Sequence, residues 1–98
     1  MPFPILQSWD TANSSREFND VSVCTTWGLY NQRFYLLDVY RHRMDYPDLK
    51  RAVVEQSRRH SPTKILIEEK SSGISLLQDL RAEGVFQVEA YKPLPGND

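Results

Sequence analysis

The chain has 98 residues, 40% of them hydrophobic, with 12 basic and 13 acidic side chains and a net charge of -1. This length allows at most one domain, and the balanced charge excludes a bulk electrostatic attraction to nucleic acid or anionic lipid. The single cysteine, Cys24, excludes an internal disulfide. No signal-peptide pattern or membrane-length apolar run is present, so we expect no membrane association.

The first half of the chain predicts three β-strands, over residues 5–11, 21–27 and 33–41. These segments are rich in β-branched, aromatic and aliphatic side chains, and polar residues separate the first two. Residues 28–32 contain Gly28 and Asn31, which are typical of a hairpin connection. We therefore expect an antiparallel meander of three strands.

The second half of the chain predicts two helices and two further strands. Asp45 and Pro47 are typical of a helix N-terminus, and Ser61 and Pro62 should end that helix. The remaining segments predict a strand over residues 64–68, a helix over residues 74–83 and a strand over residues 85–91.

The predicted order of elements is β-β-β-α-β-α-β. Strands joined through a helix are usually parallel neighbours in one sheet, connected by a right-handed crossover. The fourth strand is aliphatic from Ile65 to Ile67, so we expect it beside the first strand in the centre of a mixed α/β sheet, buried on both faces. The order favours this layout without singling out one fold family.

Acidic residues lie at the ends of both central strands. Asp10 lies at the carboxyl end of the first strand and Glu68 at that of the fourth. Parallel neighbours lie ~4.8 Å apart and would bring both carboxylates to one ion, for which Mg²⁺ is suited. From spacing alone, however, an acid at a strand end is more often a solvated terminus. Glu69 should point to the opposite face and be solvated or paired with Lys70.

Other polar residues are better explained by structure than by chemistry. We expect residues 70–73 to form a loop in which Ser72 caps the second helix, because they lack the glycine and lysine spacing of a phosphate-binding loop. Cys24 should lie in the core, since it alternates with valines and has no basic neighbour. His42 and His60 lie among arginines and should be surface residues.

Three charged features have two interpretations each. Asp38 interrupts the third strand. It is either a third acid near the site or a residue on the more solvated face of the strand, and the second case is somewhat more common for such a position. The basic clusters at residues 41–43 and 58–59 could meet a DNA phosphate backbone. Solvated faces are the default for both clusters, because acids balance bases in the chain.

Three segments carry a family resemblance: QSWDTAN, VSVCTTWGLYNQRFYLLDVYRHRMDYPDLKRAVVE and ILIEEKSSGISLLQDLR. They resemble the C-terminal nuclease domain of the large terminase subunit of tailed bacteriophages and prophages, over nearly the whole chain. The resemblance implies a ribonuclease H-like fold and metal-dependent cleavage of double-stranded DNA during genome packaging, with Mg²⁺ or Mn²⁺. It implies Asp10 and Glu68 as the catalytic and metal-binding acids, whereas Glu69 stands where the family often has Asp.

The resemblance also implies partners and a location. A full-length parent would add the terminase ATPase domain and would act with the small terminase subunit and the portal, in the cytoplasm of the bacterial host. The sequence contains no Walker A motif, and it ends at Asp98, before the motif that supplies the family's third acid. We therefore expect residues 1–98 to be a single partial nuclease domain with weak or lost activity. The alternative is a non-catalytic prophage remnant or a small α/β binding domain.

Overall fold

The computed structural model describes residues 3–11 and 21–92. The elements are β1 (Ile5–Asp10), β2 (Ser22–Tyr30), β3 (Arg33–His42), α1 (Tyr46–His60), β4 (Lys64–Glu68), α2 (Ser71–Ala82) and β5 (Val88–Tyr91). This is the predicted order, although β2 and α2 are longer than expected and β5 is shorter. Neither described helix combines the length and the apolar character that crossing a membrane requires.

The five strands form one mixed sheet in the order β3-β2-β1-β4-β5. β1, β2 and β3 pair antiparallel as a meander, whereas β1 pairs parallel with β4 and β4 pairs parallel with β5. Both β4 and β5 are reached through a helix, because the chain must return to the same edge of the sheet before a parallel strand can begin. The predicted mixed sheet, with β4 beside β1, is confirmed.

The turn between β2 and β3 is two residues long. Asn31 and Gln32 have φ angles of 54° and 64°, which are the left-handed values of a hairpin turn that matches the twist of its strands. Because the turn is so tight, β2 continues to Tyr30. Gly28, which the sequence pattern assigned to the connection, is therefore part of the strand.

Helix α1 begins where the sequence pattern predicts. The Asp45 side chain accepts a hydrogen bond from the Asp48 backbone N–H at 3.2 Å, and Pro47 lies in the first turn. The helix ends where Ser61 adopts a left-handed conformation with a φ of 50°. Local sequence chemistry therefore defines both ends of this helix.

Helix α2 begins three residues earlier than predicted. It starts at Ser71, and its N-cap residue is Lys70. The prediction that Ser72 is the N-cap is wrong, because the backbone of Ser72 already lies in the first turn. The side chain of Lys70 makes no capping hydrogen bond, because an ammonium group has only donors and cannot accept from the free backbone N–H groups of the first turn.

Both helices pack on one face of the sheet, which we call the helix face; the opposite side is the open face. The buried cluster on the helix face consists of Trp9, Cys24, Leu49, Ala52, Val53, Ile65, Ile67, Leu76, Leu80 and Val88. Leu66 points to the open face and is only half-buried. The expectation that β4 is buried on both faces is therefore wrong in the part of the chain that the structure describes.

A buried glutamine ties β1 to α1. Gln7 is fully buried on the helix face, where its Nε2 donates to Thr26 Oγ1 at 3.2 Å and to the Gln56 backbone carbonyl at 3.0 Å. Polar groups are costly to bury without partners, so these bonds favour a single packing of helix on strand. They thereby fix β1, and with it Asp10 at its end.

Candidate active site

Asp10 and Glu68 are neighbours at the carboxyl edge of the sheet. β1 and β4 pair in parallel register with Trp9 opposite Ile67, so the next residue on each strand is one of the two acids. Trp9 and Ile67 are buried on the helix face, and both acids therefore point to the open face. The Asp10 side chain is 64% exposed and the Glu68 side chain 21% exposed. The structure thus brings together the two acids that the sequence pattern singled out.

A lysine lies between these two carboxylates. Lys70 Nζ is 2.9 Å from Asp10 Oδ1 and 4.0 Å from Glu68 Oε2. It also donates a hydrogen bond to the Thr11 backbone carbonyl at 2.9 Å. Partial burial lowers the pKa of Lys70, but the hydrogen bond to Asp10 and the charges of both acids outweigh burial and hold that pKa above its ordinary value. The ammonium group offsets part of the repulsion between the carboxylates.

The turn from β4 into α2 positions Lys70. The Lys70 N–H donates to the Glu68 carbonyl at 3.0 Å, and the Ile74 N–H donates to the Lys70 carbonyl at 2.9 Å. Gly73 lets the first turn of α2 approach the end of β4, because a Cβ at this position would lie 2.3 Å from the Glu68 carbonyl oxygen. Residues 70–73 therefore begin helix α2 and do not form the predicted loop, and the sequence pattern did not predict the contact of Lys70 with the acids. The available signal was a lysine next to two acids and shortly before a glycine.

Glu69 lies outside this pair, as strand alternation predicts. Its side chain is exposed, and its Oε1 lies 3.4 Å from Lys92 Nζ. Solvation of Glu69 is therefore confirmed, whereas pairing with Lys70 is wrong, because Lys70 turns toward Asp10 instead. Of the two adjacent acids, only Glu68 shares a face with Asp10.

Asp38 is not a third acid of this site. It lies opposite Thr26 on the helix face, and its Oδ2 is 3.0 Å from His60 Nε2. His60 is half-buried and therefore less exposed than the expected surface position. His42 is exposed as expected, with its ring centroid 4.5 Å from that of Tyr40.

Cys24 is a core residue, as predicted, and is 1% exposed. Desolvation raises the pKa of its thiol to about 12; the hydrogen bond to Thr26 acts in the opposite direction, and the charge of Asp38 adds to the rise. A thiol with so high a pKa carries almost no thiolate near neutral pH, and the thiolate is the reactive and metal-binding form. Cys24 is therefore neither a nucleophile nor a ligand in this fold.

The described residues provide two carboxylates rather than a larger ligand cluster. Within residues 3–11 and 21–92, no group of three or more His, Cys, Asp or Glu side chains could hold a metal ion. The pair of Asp10 and Glu68, with the Thr11 carbonyl nearby, fits a single Mg²⁺ or Mn²⁺. Mg²⁺ uses one or two protein carboxylates and completes its shell with water and phosphate oxygens. The same residues do not fit two ions.

Arg41 lies in line with the two acids across the sheet. Asp10 is opposite Val23, and Val23 is opposite Arg41, so the three side chains share the open face. Arg41 is two strands from Asp10, or about 10 Å. Arg58 and Arg59 lie in the last turn of α1, which leads to the start of β4 and thus to the opposite edge of the sheet. Only the first basic cluster is therefore near the acids.

The sequence of this chain matches a known family over nearly its whole length. The terminase RNase H-like domain family matches residues 7–96. The chain belongs to this family. The resemblance carried by the three sequence segments is thereby confirmed, and so is the ribonuclease H-like fold. None of the curated proteins compared with this terminase domain matches it.

Solved structures share the fold at low sequence identity. RuvC of T. thermophilus, in complex with Holliday junction substrate, aligns with a TM-score of 0.62 and 12% identity over 92% of this chain and 65% of that chain. A Ppx/GppA family member of Aquifex aeolicus aligns with a TM-score of 0.59 and 10% identity over 94% and 36%. Archaeoglobus fulgidus Pelota aligns with a TM-score of 0.58 and 7% identity over 93% and 26%. The terminase domain spans less than two thirds of each, and the likeness shows the fold alone. Family and fold together indicate a nuclease-type domain.

Proposed function

We propose that this domain cleaves double-stranded DNA as the nuclease part of a phage or prophage packaging terminase, with Mg²⁺ or Mn²⁺ as its cofactor. The observation that carries the proposal is the adjacency of Asp10 and Glu68 on the face that the described helices leave open. Family membership supports the class of reaction. Two neighbouring carboxylates that DNA can reach are a suitable ligand set for an ion that also contacts phosphate.

The two acids have different surroundings and so different proposed parts in binding. Glu68 is largely shielded at the end of β4, between β1 and β5, and would hold the ion rigidly. Asp10 is mostly exposed and would complete the site on the side that DNA approaches. When bound, the ion supplies Lewis-acid stabilisation of the charge that develops on the phosphate. Arg41, on the same face, would bind a neighbouring DNA phosphate and align the backbone.

We also propose that residues 1–98 act as part of a larger nuclease. In such a parent, the partners are the terminase ATPase domain, the small terminase subunit and the portal, in the cytoplasm of the bacterial host. Among the described residues, no third acid joins Asp10 and Glu68 in a group that could hold a metal ion. Cleavage by this chain alone should therefore be weak, because a two-metal reaction would lack ligands for its second ion.

A non-catalytic binding domain or prophage remnant is the second candidate. The ion pair between Lys70 and Asp10 favours it, since an ammonium group already supplies a positive charge beside the carboxylates. A scaffold of this kind would keep the fold and the open face without binding metal.

Nicking of supercoiled plasmid in Mg²⁺ or Mn²⁺ tests the proposed function. We expect slow, EDTA-sensitive nicking that Asp10→Asn and Glu68→Gln each reduce by at least about 100-fold, because loss of a direct ligand should exceed the 10–100-fold cost typical of outer partners. Glu69→Gln is the matched control and should nick like the unmodified protein, since it removes the adjacent acid on the other face. Metal-dependent cleavage that survives Asp10→Asn would contradict the assignment, and complete absence of cleavage would favour the second candidate.

A further inference from the structure

The oxygen atoms around Lys70 form the same set that a divalent ion would use. Nζ lies within hydrogen-bond distance of Asp10 Oδ1 and the Thr11 carbonyl oxygen, both at 2.9 Å, and Glu68 Oε2 is 4.0 Å away. A Mg²⁺ bound to the two carboxylates would need oxygens at about 2.0–2.1 Å. Such an ion would lie in nearly the same place as the ammonium group, and the two cations cannot share it.

The backbone presents Lys70 to this place. Lys70 is the last residue before α2, and hydrogen bonds at both its N–H and its carbonyl hold it in the turn. Its side chain is 30% exposed, whereas that of Lys92, which pairs with the neighbouring Glu69, is 76% exposed. Exposed ion pairs of the second kind are weak and screened. The contact of Lys70 with the acids is therefore better shielded and more specific.

We propose that Lys70 is an internal counter-cation that occupies the candidate metal position until a divalent ion displaces it, and that it thereby sets the metal affinity of the site. Without Lys70 the two adjacent carboxylates would repel each other in the metal-free protein. With Lys70 in place, the metal-free site is stabilised, and an incoming ion must break the bond between Lys70 and Asp10. This inference rests on the proposed function only in taking Asp10 and Glu68 as the ligands.

Isothermal titration calorimetry, with Mn²⁺ or Mg²⁺ added to the full chain, measures the metal affinity and tests this competition. Lys70→Met keeps most of the side-chain stem and removes the charge. We expect this variant to bind the metal at least about fivefold more tightly, because about fivefold is the lower end of the affinity changes that two coupled binding events typically produce. Lys92→Met removes an equal charge from Glu69 and should leave the affinity nearly unchanged. Equal or weaker metal binding by Lys70→Met would overturn the proposal, and so would an equal gain in Lys92→Met.

A measurement on the unmodified protein separates displacement from a general charge effect and does not depend on the folding of a variant. In NMR titrations with Mg²⁺, the side-chain signals of Lys70 should shift and sharpen toward those of a free lysine, together with shifts at Asp10 and Glu68. Metal-induced shifts at the acids with unchanged Lys70 signals would overturn the displacement, as would the absence of any shift at millimolar metal.

The outcomes for the two proposals can be told apart. Tighter metal binding by Lys70→Met without any plasmid nicking would contradict the nuclease and support the counter-cation. Plasmid nicking that requires Asp10, combined with equal metal affinities for the unmodified protein and Lys70→Met, would support the nuclease and contradict the counter-cation.

Discussion

Gly73→Ala should destabilise this domain, although alanine is the better helix former. Gly73 lies in the first turn of α2, where an added Cβ would be 2.3 Å from the Glu68 carbonyl oxygen and 3.2 Å from Ile67 Cγ2. Non-bonded carbon and oxygen atoms approach to about 3.3 Å. The helix and the end of β4 must therefore separate by roughly 1 Å, and the atom that must move belongs to the backbone of a central strand.

The net cost follows from two opposing contributions. Overpacking typically costs about 1–3 kcal/mol, and a backbone contact belongs at the upper end of that range. The change from glycine to alanine inside a helix returns about 1 kcal/mol. We therefore expect a loss of about 2 kcal/mol in the free energy of unfolding. For a domain of this size, that loss lowers the melting temperature by roughly 8–16 °C.

Urea and thermal unfolding, followed by circular dichroism, measure this change. Ser75→Ala is the matched control, because Ser75 is exposed in the same helix and alanine there should stabilise by a few tenths of a kcal/mol. Gly73→Ala should also weaken metal binding, because the added Cβ would displace the Glu68 backbone and the adjoining turn that holds Lys70. If Gly73→Ala proved as stable as the unmodified protein, the close approach of α2 to β4 would be refuted.

Two further predictions concern DNA binding and the buried thiol. Arg41→Gln should weaken DNA binding and reduce the slope of log binding constant against log salt concentration by about 1. Arg58→Gln, at the opposite edge of the sheet, should change neither quantity. Equal effects of the two substitutions in fluorescence anisotropy would contradict the assigned DNA face. Cys24 should react with a thiol reagent at pH 8 much more slowly in the native protein than in urea, because burial raises its pKa from 9.0 to about 12. Since the folded pKa is the higher one, the neutral thiol contributes stability that is fully present below pH 9 and falls as the pH rises toward 12. Equally fast labelling in both states would show that the thiol is accessible.

The order of elements follows from local patterns, which is why the sequence predicted it correctly. Helix α1 has acid and proline at its start and apolar residues at Leu49, Ala52 and Val53, and each of these features acts within a few residues. The element ends were less predictable. The continuation of β2 to Tyr30 depends on a two-residue turn, and the early start of α2 depends on its packing against β4.

The two candidate acids were also accessible from sequence, because general rules of sheet topology connect them. Alternation along a strand assigns Asp10 and Glu68 to faces, and helical crossovers make their strands parallel neighbours. The family resemblance then supplied a chemical reason to prefer these acids over solvated strand ends. What these rules do not determine is which other charges meet them.

By itself, the sequence determined the strands, the helices, the mixed sheet and the pair of acids, because hydrophobic periodicity and strand parity act along the chain. The tertiary structure alone decided which charges pair between separate elements. Lys70 bonds Asp10 across 60 positions of sequence, and Asp38 bonds His60 across 22. Such pairs form only after separate elements pack at particular distances, and no local pattern encodes those distances. For this reason the positive charge between the two carboxylates became visible only in the folded chain.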